Sequence, residues 1–417
     1  MKDALRAGTA RGPTEMAVLC RGAVRGKLKI INRTYMLGAM ISVEGNKCEW
    51  LSTGEAVFPP MLEAIAAAKK SVRLEFYTFT DGPLGKQFLE ALVEARGRGV
   101  SVKAMVDGAG SYLLPASYWE PLRKAGGEVH IFNPIALKRF GIRNHRKLLV
   151  CDDTVAFIGG FNIDDFYVGD GVTKGWRDLG MRIEGPLAAQ LASTFDEMFP
   201  RAEFKHKILE RLRKSKAKRA IKTNAAQILL SGPGWGKSPF KRTFQEDLKQ
   251  ANRVQIAVAY FLPTWRLRRA LGNVARRGGL MELVLPGKSD VWLSQMAARS
   301  LYRKFLTAGV RIFEYQPQTL HAKLIVIDDV VYLGSSNLDQ RSLAINYELM
   351  VRFENKEMAA QARDILAALG EQSKEIKLAE WRKGRTIWRR MRQRFAYWFL
   401  MRLDVYVARR QWKAMPD

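Results

Sequence analysis

Cysteine is scarce in this chain of 417 residues, which contains only three cysteines, Cys20, Cys48 and Cys151. They are widely spaced and form no CxxC or Cys/His cluster, so neither a disulfide framework nor a zinc site is predicted. A reducing cytoplasmic setting is therefore expected. No apolar run reaches the ~18 residues that a membrane-spanning helix requires, and residues 1–46 lack the apolar core of a signal peptide. We expect the protein to be made and kept inside the cell.

Acidic residues are in deficit as well. The chain has 69 Lys plus Arg against 41 Asp plus Glu, which leaves a net charge of +28. Such a protein is attracted to polyanions. Nucleic acid and the anionic leaflet of a membrane are both candidates, and net charge does not separate them. The hydrophobic content of 47% is that of a globular protein, and the length favours two or three domains.

Four sequence blocks recur in the same order in the two halves of the chain, which indicates an internal duplication. The paired blocks are 72–77 with 254–260, 96–107 with 276–286, 125–132 with 308–313, and 144–162 with 320–337. Hydrophobic strand patterns alternate with helical stretches inside each half, which is typical of an α/β fold.

The duplication divides the chain into five predicted segments. They are a basic and disordered N-terminal extension (1–47), a first α/β half (48–204), a basic connector (205–225), a second α/β half (226–371) and a basic aromatic C-terminal tail (372–417).

The last block contains the residues that point to chemistry. Its two copies share one pattern: His145, Lys147, Asp152, Gly159 and Asn162 in the first, and His321, Lys323, Asp328, Gly334 and Asn337 in the second. Successive side chains of a strand alternate between faces, so each His and its Lys face the same pocket. Glycine at the corner lets backbone approach a phosphate, and asparagine supplies an amide donor.

Two such units together present two imidazoles, two ammonium groups and two carboxamides to one anionic phosphorus. One histidine attacks phosphorus, and the other protonates the departing alkoxide and later deprotonates the incoming alcohol. The cationic and amide donors stabilise the phosphoryl oxygens, so we expect no metal ion or other cofactor to be required. A single HxK pattern is usually a surface feature, but two copies in matching context favour catalysis.

The duplicated HxKxxxxD followed by a Gly-rich turn and Asn resembles the signature of the phospholipase D superfamily. Within it, the chain is most similar to the bacterial cardiolipin synthases, over roughly residues 48–353. The supporting segments are 161–163, 176–178, 182–186, 337–339, 341–342 and 346–348.

This resemblance implies two sandwich halves, each a mixed sheet flanked by helices, related by a pseudo-two-fold and sharing one active site. It also implies transfer of a phosphatidyl group from phosphatidylglycerol or a related lipid to phosphatidylglycerol, through a phosphohistidine and with release of glycerol. The implied catalytic residues are His145, Lys147, Asp152, His321, Lys323 and Asp328. The implied phosphate-binding or orienting residues are Asn162, Asn337, Gly159, Ser335, Asp178 and Glu348.

The resemblance further assigns individual roles. His145 is implied as the nucleophile and His321 as the acid and base, with Glu348 orienting His145 and Asp178 orienting His321. The Asp of each signature is expected to hold its hairpin turn. The sequence departs from the family in two ways: Gly160 stands where Ser is commoner, and the second signature has one residue fewer in its hairpin.

The tail combines arginines with an apolar stripe at helical spacing, made of Trp388, Met391, Phe395, Phe399, Leu403 and Tyr406. This pattern is typical of a helix lying in a membrane interface, although the same stripe could instead pack on the protein. We therefore expect phospholipid substrates, an anionic membrane surface as partner, no nucleic acid, and a peripheral position on the cytoplasmic side of a bacterial inner membrane. A phospholipase D-type hydrolase or a nuclease is the alternative, and the oligomeric state is left open.

Overall fold

Two mixed β-sheets, one from each half of the sequence, form the framework of the chain in this computed structural model. The structure describes residues 40–115, 117–134, 141–203, 218–234, 236, 238–384 and 386–404. The predictions made for residues 1–39, for most of the connector and for residues 405–417 lie outside the described residues.

The first sheet has eight strands in the order β1-β2-β8-β7-β6-β3-β4-β5. They are β1 (Ile41–Val43), β2 (Asn46–Leu51), β3 (Ser71–Phe76), β4 (Ser101–Asp107), β5 (Glu128–Phe132), β6 (Leu148–Cys151), β7 (Val155–Gly159) and β8 (Gly180–Glu184). Strands β3, β4 and β5 run parallel to one another, and the other neighbours are antiparallel. Strand β6 is buried along its whole length because both faces of the sheet are covered.

The second sheet has nine strands in the order β17-β13-β12-β11-β14-β15-β16-β10-β9. They are β9 (Ala220–Lys222), β10 (Gln227–Ser231), β11 (Arg253–Val258), β12 (Leu280–Pro286), β13 (Arg311–Tyr315), β14 (Lys323–Ile327), β15 (Val330–Gly334), β16 (Glu348–Glu354) and β17 (Ser373–Glu375). Strands β11, β12 and β13 are parallel. Strand β14 is an unbroken apolar run after its first residue and is entirely buried.

The two sheets repeat the same topology. The order β2-β8-β7-β6-β3-β4-β5 in the first corresponds to β10-β16-β15-β14-β11-β12-β13 in the second. Strands β3 and β11 come from the first repeated block, and the hairpins β6-β7 and β14-β15 come from the last. The prediction of a duplicated α/β fold with a mixed sheet in each half is confirmed.

Helices cover both sheets. Those of the first half are α1 (Gly54–Ala67), α2 (Pro83–Gly97), α3 (Glu120–Lys124) and α4 (Pro186–Met198). Those of the second half are α5 (Pro239–Asp247), α6 (Trp265–Arg276), α7 (Trp292–Thr307), α8 (Gln340–Ala344), α9 (Lys356–Glu371), α10 (Leu378–Lys383) and α11 (Ile387–Trp398). Helices α1, α2 and α3 cover the outer face of the first sheet, and α5, α6 and α7 cover that of the second. Phe195 of α4 and Leu366 of α9 belong to one core that joins the inner faces of both sheets.

The sheets extend beyond the predicted segment boundaries at three places. Residues 41–47, assigned above to the extension, form β1 and the start of β2, where Ile41 and Val43 are buried. The end of the predicted connector supplies edge strand β9, and the start of the predicted tail supplies edge strand β17. Strands β1, β9 and β17 have three residues each, too few for a hydrophobic alternation to be recognised in a sequence.

Candidate active site

Each signature histidine lies just before a strand and is tied to the opposite half of the chain. The His145 amide, ahead of β6, donates to the carbonyl oxygen of Tyr347 at 2.9 Å. The His321 amide, ahead of β14, donates to the carbonyl oxygen of Arg177 at 2.7 Å. These contacts are reciprocal, as a pseudo-two-fold requires, and they bring both histidines to one pocket.

This pocket has a volume of about 460 Å³ and lies where β3 and β11 end. The predicted site residues that line it are His145, His321, Asn162 and Asn337. Four apolar side chains also line it: Leu262, Val291, Leu400 and Met401. A volume of this size accommodates a small organic group such as a phosphodiester head group.

The carboxylate of Glu348 holds the His145 ring. Both carboxylate oxygens lie 3.1 Å from His145 Nδ1, and the hydroxyl of Ser335 donates to Glu348 Oε2. Burial raises the pKa of Glu348 to about 8, and burial together with Lys147 and Lys323 lowers the pKa of His145. A neutral imidazole carries one N–H proton, and the Glu348 oxygens beside Nδ1 favour that proton on Nδ1. When that proton is on Nδ1, the His145 Nε2 keeps the lone pair that a nucleophile needs.

Asp178 holds the second histidine from the other half. Its Oδ2 lies 2.6 Å from His321 Nδ1, and its Oδ1 accepts from the Leu179 amide at 2.7 Å. The hydroxyl of Tyr167 lies 3.1 Å from the same ring nitrogen. Burial and Lys323 lower the pKa of His321, while Asp178 opposes the shift. The two carboxylate–histidine contacts are the pairs that the family resemblance implied.

Two buried ammonium groups lie beside the histidines. Lys147 Nζ donates to the His145 carbonyl oxygen at 2.8 Å, and Lys323 Nζ lies 3.9 Å from Asp178 Oδ2. Burial lowers the pKa of Lys147 to about 7 and that of Lys323 to about 8. An anion in the pocket favours the charged form of both groups, so the site is suited to phosphate. In the described part of the chain, no group of three or more His, Cys, Asp or Glu side chains is arranged to hold a metal ion.

The two signature asparagines fix the corners beside the histidines. Asn162 Oδ1 accepts from the Thr78 amide at 3.1 Å, and Asn337 Oδ1 accepts from the Tyr260 amide at 3.3 Å. The Nδ2 of Asn162 donates to the Tyr167 hydroxyl at 2.8 Å. Each asparagine thus ties the second residue after a central strand to the corner that follows the signature hairpin.

The signature glycines Gly159 and Gly334 lie where a neighbouring strand passes close to their backbone. A Cβ at Gly159 would overlap the carbonyl oxygen of Leu179, and one at Gly334 would overlap that of Leu349. Glycine is therefore required where β7 packs closely on β8, and β15 on β16.

The two departures from the family pattern have local explanations. A Cβ at position 160 would overlap the Asp178 carboxylate, so Gly160 leaves room for the group that holds His321. The second hairpin is tighter, as expected: Ile327 pairs with Val330, whereas Cys151 pairs with Val155.

The signature aspartates Asp152 and Asp328 lie at the far ends of β6 and β14 and contact neither histidine. Asp152 accepts from the amides of residues 69–71 at 2.7 to 2.9 Å. Asp328 accepts from the amides of residues 252–253 at 2.8 to 3.3 Å. In this placement the two aspartates anchor the chain at the starts of β3 and β11.

Three tyrosines that the sequence analysis did not single out surround the histidines. The ring of Tyr77 lies 4.9 Å from that of His145, and the ring of Tyr260 lies 6.2 Å from that of His321. These two tyrosines end the first repeated block in both halves, so the repeat itself carried a signal for them. Tyr167 lies outside the repeated blocks, and no pattern in the sequence distinguished it.

A duplicated α/β fold that brings two His-Lys pairs to one pocket defines an enzyme of the phospholipase D class. A family model described as "Cardiolipin synthase, PLD-like domain" matches residues 61–199 and 245–369. The chain is 34% identical over 357 residues to cardiolipin synthase A of Pseudomonas fluorescens, with 83% of this chain and 73% of that protein covered. It is 32% identical over 381 residues to cardiolipin synthase B of Shigella flexneri, with 87% and 90% covered.

A solved structure is similar in fold. The phosphatidylserine synthase of Haemophilus influenzae covers 87% of this chain and 94% of its own, with a TM-score of 0.69 at 17% identity. The chain belongs to the phospholipase D-like family of cardiolipin synthases, which makes it an enzyme of the phosphatidyltransferase type.

Proposed function

We propose that this enzyme is a cardiolipin synthase that moves a phosphatidyl group from phosphatidylglycerol, or a related phospholipid, to a second phosphatidylglycerol. The observation that carries the proposal is the pair of oriented histidines, each with a carboxylate on Nδ1, facing one pocket beside two buried lysines. Relatives named as cardiolipin synthases support the choice of substrate.

The reaction proceeds in two displacements at phosphorus. The Nε2 of His145 attacks the donor phosphate, a P–N bond forms, and the P–O bond to the head-group glycerol breaks while His321 gives its proton to the departing oxygen. His321 then takes the proton of an acceptor hydroxyl, whose oxygen attacks phosphorus and breaks the P–N bond. The products are cardiolipin and glycerol, and both histidines return to their starting states.

The phosphoryl oxygens gain negative charge in both steps. Lys147 and Lys323 supply positive charge next to the two histidines, and each donor in such a site contributes a factor of about 10²–10³ in rate. In this proposal the two ammonium groups take the part that a bound metal ion would otherwise take in stabilising the phosphoryl oxygens.

A hydrolase or a nuclease would use the same chemistry with another acceptor or substrate. The apolar side chains at the pocket, among them Leu262, Leu400 and Met401, favour a lipid over a nucleic-acid strand. Water entering after glycerol has left would give phosphatidate, so transfer requires that a lipid hydroxyl reaches the phosphohistidine first.

Incubation of the enzyme with phosphatidylglycerol vesicles tests the proposal. We expect cardiolipin and glycerol in equal amounts. Lipid mass spectrometry measures the cardiolipin, and an enzymatic assay measures the glycerol. Phosphatidate without cardiolipin would indicate a hydrolase, and nucleotide release from DNA in a parallel reaction would indicate a nuclease. Vesicles that also contain phosphatidylethanolamine show whether that lipid is a donor, because ethanolamine is then released.

Helix α11 presents apolar side chains to solvent. The side of the helix that packs against α7 carries Gln393 and Ala396, which are buried. The opposite side is more than half exposed, and we call it the aromatic face of α11: Trp388, Met391, Phe395 and Trp398. The stripe predicted from the sequence therefore faces outward along α11 instead of packing on the protein.

This aromatic face is the proposed contact with the cytoplasmic leaflet of the bacterial inner membrane. Four exposed arginines of α11 lie between these apolar residues in the sequence: Arg389, Arg390, Arg392 and Arg394. Each basic residue near an anionic leaflet contributes about 1 kcal/mol. Leu400 and Met401, directly after α11, line the active-site pocket, so attachment places the pocket at the lipid surface. None of the helices within the described ranges is long and apolar enough to span a bilayer.

Removing the four arginines of α11 should weaken binding to anionic vesicles by about 10³-fold at low salt, because four contributions of about 1 kcal/mol each are lost. Vesicle sedimentation of the quadruple Arg→Ala variant measures this. The matched control removes four exposed lysines that precede the strands, at the sheet ends away from the pocket: Lys69, Lys70, Lys124 and Lys249. Equal losses in both variants would mean that net charge, not this helix, directs attachment.

A further inference from the structure

The two halves differ in the carboxylate that accompanies each pocket tyrosine. Beside Tyr77, Asp107 is fully buried, lies 3.2 Å from Arg143, and accepts from the Asn144 amide at 2.8 Å. Asp107 is therefore neutralised inside the first half. In the second half the hydroxyl of Tyr260 donates to Asp290 Oδ2 at 2.5 Å, and Asp290 is an exposed residue on the pocket wall.

The Asp290 carboxylate has hydrogen-bond acceptor positions that no protein donor occupies in the described part of the chain. Besides Tyr260, its only hydrogen-bond partner among the described residues is the hydroxyl of Ser289, 3.4 Å from Oδ1. In the same part of the chain, no Lys, Arg or His nitrogen lies within the 4.0 Å of an ion pair. A carboxylate offers about four lone-pair positions, so several remain for a ligand.

The position of Asp290 relates it to one histidine. Tyr260, to which Asp290 is bonded, makes a T-shaped ring contact with His321 and belongs to the same half of the chain. In the proposed function His321 faces the alcohol oxygen, both when the head group departs and when the acceptor arrives. Asp290 therefore lies on the side of the pocket that receives the alcohol.

We propose that Asp290 selects the alcohol by accepting a hydrogen bond from the donor group on the carbon next to the reacting carbon. In the glycerol head group this donor is the 2-hydroxyl. In an ethanolamine head group an ammonium stands at the same place, so the shared chemistry is a hydrogen-bond donor vicinal to the reacting oxygen. This inference rests on the proposed function and adds to it the residue that distinguishes these head groups from simple alcohols and from water.

The expected selectivity follows from the charge on the acceptor. A hydrogen bond to an ionised group is stronger than one between neutral groups, and an alcohol that lacks the donor leaves the carboxylate facing an apolar carbon. Because Asp290 is exposed, water compensates part of the loss. We expect about a tenfold preference, well below that of a fully enclosed site.

Alcohol exchange on phosphatidylglycerol vesicles tests this selection. Equal concentrations of labelled glycerol and 1,3-propanediol compete as acceptors, since the two alcohols differ only in the 2-hydroxyl. Wild-type enzyme should form labelled phosphatidylglycerol over phosphatidylpropanediol by about tenfold, and Asp290→Ala should bring this ratio close to one. The ratio does not depend on how much enzyme is folded, and Asp290→Asn, of nearly the same shape, provides a second variant.

The possible results separate a failure of the proposed alcohol selection from a failure of the proposed function. A wild-type ratio near one, or an Asp290→Ala ratio equal to that of wild type, overturns the selection while leaving the proposed function in place. Absence of any lipid product in wild type refutes the proposed function itself. With ethanolamine as a third acceptor, Asp290→Asn should retain glycerol and lose ethanolamine if the ammonium charge is recognised, and retain both if only hydrogen bonding matters.

Discussion

Replacing His145 by Asn should lower phosphatidyl transfer by about 10⁴-fold or more, since loss of a nucleophile costs an enzyme that much. The His145 Nε2 is the atom that forms the covalent bond in the proposed reaction, and the asparagine amide has no comparable lone pair. Initial rates of cardiolipin formation on phosphatidylglycerol vesicles measure the effect.

The chain offers a matched control for this substitution. His130 lies in β5, stacks on the ring of Phe199 at 4.1 Å, and its Nδ1 is 3.1 Å from the Phe199 carbonyl oxygen. It does not line the active-site pocket. We expect His130→Asn to retain a rate within a few-fold of wild type. A His145→Asn variant that keeps one hundredth of the wild-type rate or more would contradict a covalent mechanism at this residue.

The internal repeat allowed the duplicated α/β fold to be predicted from the sequence. A strand pattern that recurs with the same neighbours limits the topology, because both copies must build the same sheet around the same signature. The pairing of each histidine with the lysine two residues later was predicted from the two-residue period of a strand, although both histidines and Lys147 lie just before β6 and β14. Their meeting in one pocket depends on pairing between the halves, for which local pattern carries no signal.

What the sequence left open concerns long-range contacts. The contacts of Glu348 with His145 and of Asp178 with His321 join residues more than 140 positions apart, and only the family resemblance implied them. Asp290 lies in a loop with no counterpart in the repeated blocks. The apolar stripe of α11 was visible from its spacing, but helical periodicity does not say whether such a face turns toward the protein or toward solvent.

The surroundings of the two histidines are not equivalent, and this difference bears on their roles. On the His145 side, the Ser335 hydroxyl bonds to the carboxylate that holds the ring. On the His321 side, Gly160 provides no hydroxyl, and Tyr167 instead approaches the ring nitrogen itself. A carboxylate held by this hydroxyl fixes the direction of the His145 Nε2, which suits the nucleophile role proposed for it. The proposed role of His321 is to transfer protons, and this role is compatible with a tyrosine hydroxyl bonded to its Nδ1.

Replacing His321 by Asn should trap the covalent intermediate. The variant lacks the group that is proposed to protonate the leaving oxygen, so phosphatidylglycerol should react slowly. A phosphatidyl ester of 4-nitrophenol has a leaving group that departs without a proton, and His145 can still attack it. Because His321 is also the proposed base for the acceptor, discharge of the phosphohistidine should be slow as well. We expect a burst of about one nitrophenol per enzyme molecule, followed by a rate at least 10²-fold lower than that of wild type.

The location of the trapped group then separates the roles of the two histidines. Peptide mapping of the His321→Asn protein, quenched and digested at alkaline pH because phosphohistidine is acid-labile, should find the phosphatidyl group on His145. The His145→Asn protein given the same ester should carry no adduct and show no burst. An adduct on His321 in that second variant would exchange the two roles while keeping two histidines in the mechanism. Steady nitrophenol release without an adduct in either variant would instead indicate direct attack by water, since a covalent intermediate that forms faster than it is discharged must accumulate.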